Sequence, residues 1–139
     1  NKQLFISRGD NSGTHKKELY LWKKANIKPE DSWYRQVGQG MASVLMISNE
    51  LQSYTITDRG TWLKMNNRLS LRVLSEGDQN LYNPYGIIAI NPSRYPKINY
   101  LGAMSFIAWI TSLEGQSKIM DFKINGENLF FPAAINLRK

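Results

Sequence analysis

Near the start of the chain an apolar run, Leu4-Phe5-Ile6, leads directly into a polar turn, Ser7-Arg8-Gly9-Asp10-Asn11-Ser12-Gly13-Thr14-His15. Beyond it Leu19 and Trp22 stand three apart, with Leu21 and Ala25 nearby. Apolar residues at that spacing mark one face of a helix, so the stretch predicts a strand, a glycine-marked turn and a helix. The order restricts the fold to classes in which a strand hands over to a helix packed on its sheet. The turn also has a chemistry. A helix start presents backbone N–H groups that lack intrahelical partners, and its dipole favours negative charge. Ser12 and Thr14 add hydroxyls, and Arg8 adds a planar, permanently charged fork. Lys16 and Lys17 fall in the first helical turn, where positive charge is unfavourable unless an anion offsets it. The turn suits an oxyanion and suits equally an ordinary capped helix with solvated lysines.

Further along, the first helix is expected to stop near Asn26, because Pro29 disfavours helix just before it. Trp33 to Val37 reads as a short strand or an extended piece, and Gly38-Gln39-Gly40 breaks the chain again. Met41, Val44, Leu45, Ser48 and Leu51 follow helical spacing and predict a helix at about 40–52. Its glycine-marked start is either a second set of N–H groups aimed at a ligand or a plain loop-to-helix junction. Tyr54 to Thr57 is a strand candidate rich in β-branched residues. Asp58-Arg59-Gly60-Thr61 turns into a short helix through Trp62, Leu63 and Met65. Leu69, Leu71 and Val73 alternate with Ser70 and Arg72, so 69–75 reads as a half-buried strand. Ile87 to Ile90 is a continuous apolar run, expected as a strand buried on both faces. Residues 99–111 carry a long apolar helix pattern, with Ala103, Phe106, Ile107 and Ile110 on one face, and 114–122 continues as a second helical piece. Leu129-Phe130-Phe131-Pro132 closes the apolar pattern. Strands alternating with helices predict an α/β protein whose ligands bind outside the carboxyl ends of its strands.

Composition narrows the function. The 139 residues suffice for a domain with a real core. The absence of cysteine excludes disulfides and thiolate metal sites, and the single histidine, His15, excludes a multi-histidine metal site. No apolar run is long enough to span a membrane as a helix. The net charge of +7 favours anionic partners. The charge is scattered, however, with Lys16-Lys17, Lys23-Lys24 and Arg138-Lys139 as the adjacent basic pairs, and a nucleic-acid stripe would be denser. Asp10, Ser12 and His15 are too close in the chain for a hydrolytic triad, whose members come from distant positions. A nucleotide phosphate loop needs four residues between its glycines and then Gly-Lys-Ser/Thr, whereas Gly9 and Gly13 are separated by Asp10, Asn11 and Ser12 and followed by Thr14-His15.

The run from Ser7 to Glu18 resembles the motif of tungstate-binding proteins, the extracytoplasmic solute receptors of tungstate ABC importers. Later segments agree in order: Gly38 to Met41, Tyr54 to Thr61, Asn83-Pro84-Tyr85-Gly86 through Pro92, and Thr111 to Gln116. Phosphate receptors share a looser Arg-x-Asp-x-Ser-Gly-Thr pattern. The resemblance implies an α/β fold of the periplasmic binding protein-like type II class, here an incomplete two-lobed receptor with helices packed on mixed sheets. It places 1–82 in the second lobe with the anion-binding turn, 83–92 in a hinge crossing strand, and 93–139 in the C-terminal part of the first lobe. It implies a periplasmic or cell-surface bacterial protein that binds tungstate, or molybdate, for a membrane permease, with no enzymatic step and no cofactor. A phosphate receptor, or the ligand-sensing domain of a transcription regulator with the same fold, are the alternatives. The candidate ligand-binding residues are Ser7, Arg8, Asp10, Ser12, Gly13 and Thr14, with Gly40, Met41 and Ala42 as a second set. Asp10 either holds Arg8 through a charge-assisted pair or accepts the proton of hydrogen phosphate. The receptor's N-terminal lobe segment, with its own Ser/Thr-rich turn, or a dimer partner, is expected to complete the protein.

Overall fold

The structure is a computed structural model in which residues 3–135 are described; the Arg138-Lys139 pair lies outside them. Two compact units make up the chain, Asn1–Tyr82 and Asn83–Lys139.

The first unit is built on β1 (Phe5–Ser7). It pairs in parallel with β2 (Tyr34–Gln36), Phe5 opposite Tyr34 and Ser7 opposite Gln36. On its other edge Tyr54 forms a parallel bridge, with the Tyr54 N–H donating to Leu4 O and the Ile6 N–H to Tyr54 O. The strand expected at 54–57 goes no further than this bridge. The Thr55 hydroxyl donates to Ile6 O at 2.7 Å and so takes the carbonyl that the next ladder bond would use. Helices follow each of these three extended segments: α1 (Gly13–Lys24), α2 (Met41–Glu50) and α3 (Arg59–Met65).

Successive strand residues face opposite sides of a sheet. Ile6 accordingly joins Met41, Val44 and Leu45 of α2 in a buried cluster, flanked by Leu4, Val37, Trp62, Leu69 and Leu71. Phe5 faces the other way. Its ring lies 5.1 Å from Trp22 of α1 and 5.9 Å from Tyr34, and Trp33 closes the set at 5.4 Å from Trp22. Fully burying an aliphatic side chain contributes roughly 1.5–3 kcal/mol, so these two layers supply most of what holds the strands.

The helix at 13–24 ends as its sequence predicts, but by its own device. Asn26 adopts φ 54°, the Ile27 N–H reaches Trp22 O, and the Asn26 N–H reaches Lys23 O. This is a Schellman closure, which satisfies carbonyls that the helix end leaves open. Its inward face differs from the apolar pattern: Trp22 is half-buried, Leu19 is 45% exposed, and Glu18 is buried in its place. The half-buried strand expected at 69–75 is corrected by the structure, which forms no strand there among the described residues. Leu69 and Leu71 do pack on the core, as their alternation suggests. The Ser70 N–H, however, donates to the Asn49 side chain at 2.7 Å rather than to a neighbouring strand, and Val73 and Leu74 are exposed.

In the second unit α4 (Tyr100–Ile110) and α5 (Leu113–Asp121) form a helical pair. Asn99 caps α4 by accepting the Gly102 N–H, and Ser112 caps α5 by accepting the Gly115 N–H. A Cβ on Gly115 would lie 2.3 Å from Trp109 O, so the tight join between these helices requires glycine. Gln116 is buried and ties the unit together. Its amide donates to Ile110 O at 2.7 Å, and its oxygen accepts the Ala133 and Ala134 N–H groups. A hairpin, β3 (Lys123–Ile124) and β4 (Glu127–Asn128), turns at Asn125-Gly126, both in positive φ as a two-residue primed turn demands.

The expectation of a doubly buried strand at 87–90 is also corrected. No strand forms there among the described residues, and Ile88 is 89% exposed. An apolar run becomes an interior strand only where partners lie on both edges, and none pairs with it here.

Candidate functional site

The turn between β1 and α1 is fixed from both sides. Gly9 adopts φ +61°, and a Cβ there would lie 2.6 Å from Gln36 Cβ. The Val37 N–H donates to Ser7 O, so the carboxyl ends of β1 and β2 lie side by side. Both helices that follow begin at this edge, where α/β sheets hold ligands.

Within the turn Arg8 and Asp10 form an ion pair. Arg8 donates from Nε at 3.0 Å and from its terminal nitrogen at 2.6 Å, both to Asp10 Oδ2. Asp10 Oδ1 accepts the Ser12 N–H at 3.1 Å. Hydrogen bonding from Ser12, and then from Arg8, holds the Asp10 carboxyl down to about 2. Ser12 caps α1 by accepting the His15 N–H at 3.2 Å. The N–H groups of Gly13 and Thr14 find no acceptor among the described residues. The turn therefore presents two backbone donors, the Thr14 hydroxyl on a half-buried side chain, and the guanidinium N–H groups of Arg8 that Asp10 does not use.

The three helix starts differ in how they are filled. Asp58 caps α3 with a carboxylate that accepts both the Thr61 N–H and the Thr61 hydroxyl, so its positive end is already met by negative charge. The cap of α1 is a neutral serine, and α2, with Gly40 at its cap, has no side-chain cap at all. Met41 is buried and Ala42 exposed at that second start. Of these three starts, α2 is the one with no carboxylate at it, whereas at α1 the Asp10 carboxylate accepts the Ser12 N–H and is matched by the Arg8 guanidinium.

Ser7, expected among the ligand donors, turns its side chain inward. It is fully buried, and its hydroxyl donates to Glu18 Oε2 at 2.7 Å, accepts the Gly9 N–H at 3.2 Å and lies 3.1 Å from His15 Nδ1. Glu18 Oε1 accepts from Tyr34 Oη at 2.7 Å and from Trp22 Nε1 at 3.1 Å. Burial, foremost, raises the Tyr34 phenol to about 12, which keeps it a donor. The sequence puts His15 at the end of the turn but singles out no role for Glu18. The available signal was its position on the helix face, three after His15 and four before Trp22.

Lysines of α1 hold the end of the first unit. Lys17 Nζ donates to Tyr82 O at 3.0 Å, and Lys24 Nζ bonds the Asn80 side chain. Among the described residues no cluster of three histidine or acidic groups is placed to bind a metal ion, and no helix is long and apolar enough to cross a membrane.

Comparison with known proteins adds to this geometry. Residues 2–114 match the family described as the PBP superfamily domain. The tungstate-binding protein TupA of Peptoclostridium acidaminophilum is 48% identical over 135 residues, covering 96% of this chain and 47% of that protein. A putative ABC transporter anion-binding protein of Haloferax volcanii is 43% identical over 137 residues, covering 95% of this chain and 40% of its own length. Among solved structures, the tungstate-binding protein TupA of Desulfovibrio alaskensis superposes with a TM-score of 0.79 at 40% identity, over 96% of this chain and 56% of that one. The chain spans less than half the length of these two curated relatives. The α/β arrangement, the family match over 2–114 and the likeness to these solute-binding proteins lead to one assignment: the chain belongs to the PBP superfamily.

Proposed function

We propose that this chain is part of an extracytoplasmic receptor that binds a tetrahedral oxyanion, tungstate first, and presents it to the membrane permease of an ABC importer. The observation that carries the reading is the start of α1, where the unpaired Gly13 and Thr14 N–H groups sit beside a guanidinium held by Asp10. Binding replaces water around a dianion with fixed donors, and no bond is made or broken. Arg8 supplies charge, Thr14 a hydroxyl, Gly13 and Thr14 backbone donors, and the start of α2 from Gly40 to Ala42 a second set, while Ser12, expected as a hydroxyl donor, closes the start of α1 and holds Asp10. The relatives named for tungstate or anion binding support the ligand class.

Asp10 favours tungstate or molybdate over phosphate. Both of its oxygens are engaged by Arg8 and Ser12, and it is held strongly acidic, which suits an orienting role rather than acceptance of a phosphate proton. The exposed apolar side chains of the second unit, among them Ile88, Leu101 and Phe131, favour a further receptor segment that packs on them.

Isothermal titration of the purified chain, and of a chain joined to an N-terminal lobe segment from a relative, with tungstate, molybdate, sulfate and phosphate tests the proposal. Arg8→Gln should weaken tungstate binding by about 2–5 kcal/mol, the usual loss when one partner of a desolvated charged hydrogen bond is removed. Equal affinity in the two proteins, or a clear preference for phosphate, would overturn it.

A further inference from the structure

Behind the turn lies a buried group that the binding reading leaves without a task. Glu18 is 2% exposed, and Ser7, Trp22 and Tyr34 converge on its two oxygens. An indole nitrogen only donates, and a serine hydroxyl offers one proton and two lone pairs. With the Ser7 proton directed to Glu18 at 2.7 Å, its lone pairs remain for the Gly9 N–H and for His15 Nδ1. The ring nitrogen must then carry the hydrogen. Each capacity of the Ser7 hydroxyl is used, and its direction is set by the carboxylate.

We propose that Glu18 is a positioning residue for the oxyanion turn, acting through the Ser7 hydroxyl to seat the Gly9 N–H and to hold His15 as its Nδ1–H tautomer. Its relevance to an anion rests on the function proposed above, whereas the hydrogen-bond polarity stands on the geometry alone. Gly9 lies between Arg8 and Asp10 in the turn. Its backbone is pinned by Gln36 on one side and by Ser7 on the other. A shift there moves Arg8 relative to the Gly13 and Thr14 donors.

His15 is the sole histidine, so its ring signals in the 15N-labelled chain need no assignment. The spectrum is recorded near pH ~9, well above the ordinary imidazole range. The wild-type ring should show a protonated Nδ1 and a bare Nε2. In Glu18→Gln the amide NH2 cannot face the Trp22 donor, so it turns to Ser7. Ser7 then directs its own proton to His15, and the ring hydrogen moves to Nε2. The Gly9 amide keeps its acceptor and its protection from hydrogen exchange. In Ser7→Ala that acceptor is gone, and Gly9 exchange should quicken about tenfold, as for one lost hydrogen bond. Tungstate affinity should fall about tenfold or more in both variants, as when outer partners of a binding site are removed.

A wild-type Nε2–H ring, an unchanged ring in folded Glu18→Gln, or unchanged Gly9 exchange in Ser7→Ala would overturn the proposal. So would a wild type that binds tungstate alongside folded variants that bind it equally well. A loss of thermal stability without tautomer inversion would leave Glu18 as a packing residue and also overturn it. Should Glu18→Gln fail to fold, the wild-type ring and Ser7→Ala still decide. Should the wild type take up no tungstate, the proposed function falls, while the ring and exchange results still judge this inference.

Discussion

Gly9→Ala separates two physical demands made at one residue. Gly9 sits at φ +61°, and an added Cβ would lie 2.6 Å from Gln36 Cβ and 3.2 Å from Gln36 Cα. A left-handed backbone costs a residue with a side chain about 1–2 kcal/mol. Overpacking against a fixed neighbour costs about 1–3 kcal/mol more, and Gln36 Cα belongs to a paired strand that cannot yield. The expected loss is therefore about 2–5 kcal/mol. Gly38 is the control. It has nearly the same backbone, φ +62°, with nothing within 4 Å of the added carbon, so Gly38→Ala should cost only the backbone share of about 1–2 kcal/mol. Urea denaturation followed by tryptophan emission measures both, since Trp22 and Trp33 lie in the ring cluster beside β1. The midpoints should shift with the slope unchanged. Equal losses in the two variants would refute the close approach to Gln36, and no loss in either would refute the left-handed turn itself.

Two further outcomes are expected. The Asp10 carboxyl is lowered from 3.8 to about 2, so its contribution to stability is full above the ordinary carboxylate range and disappears as the pH falls towards 2. The stability gap between wild type and Asp10→Asn should close over that acid window; a gap constant down to pH ~2 would disprove the assignment. The chain should also associate as its concentration rises and bind an apolar dye, because Ile88, Leu101, Leu113 and Phe131 are exposed. Light scattering that reports a monomer at every concentration, with little dye bound, would count against open apolar faces.

Periodicity located the helices because their apolar residues repeat on a face that tertiary packing then uses. Met41, Val44 and Leu45 are inside as their spacing requires. The strand assignments held less well. Strand pairing depends on a distant neighbour that a local window does not contain. Tyr54 keeps one bridge, Ser70 is diverted to Asn49, and Ile87 to Ile90 has no partner among the described residues. The hairpin at 123–128 announces itself in Asn125-Gly126, a turn signal that the sequence reading passed over. At the turn, the pairing of Arg8 with Asp10 was one of two legible roles, since charges two residues apart in a tight loop can meet. The inward rotation of Ser7 was not legible. It depends on Glu18, whose charge argues for solvent until three donors are seen to surround it.

Under the proposed function, the unequal filling of the three helix starts of the first unit bears on how fast an anion arrives. Asp58 travels with α3 as a built-in counterion, so that end is neutralised whatever the solution contains. The start of α2 carries no such charge, that of α1 has its Asp10 carboxylate offset by Arg8, and the chain around both has a net charge of +7. Their field reaches an approaching dianion over roughly one Debye length, about 10 Å at 0.1 M salt and about 3 Å at 1 M. Ionic strength should therefore govern the rate of encounter more than the rate of escape, because the final contacts form at distances too short for mobile ions to enter.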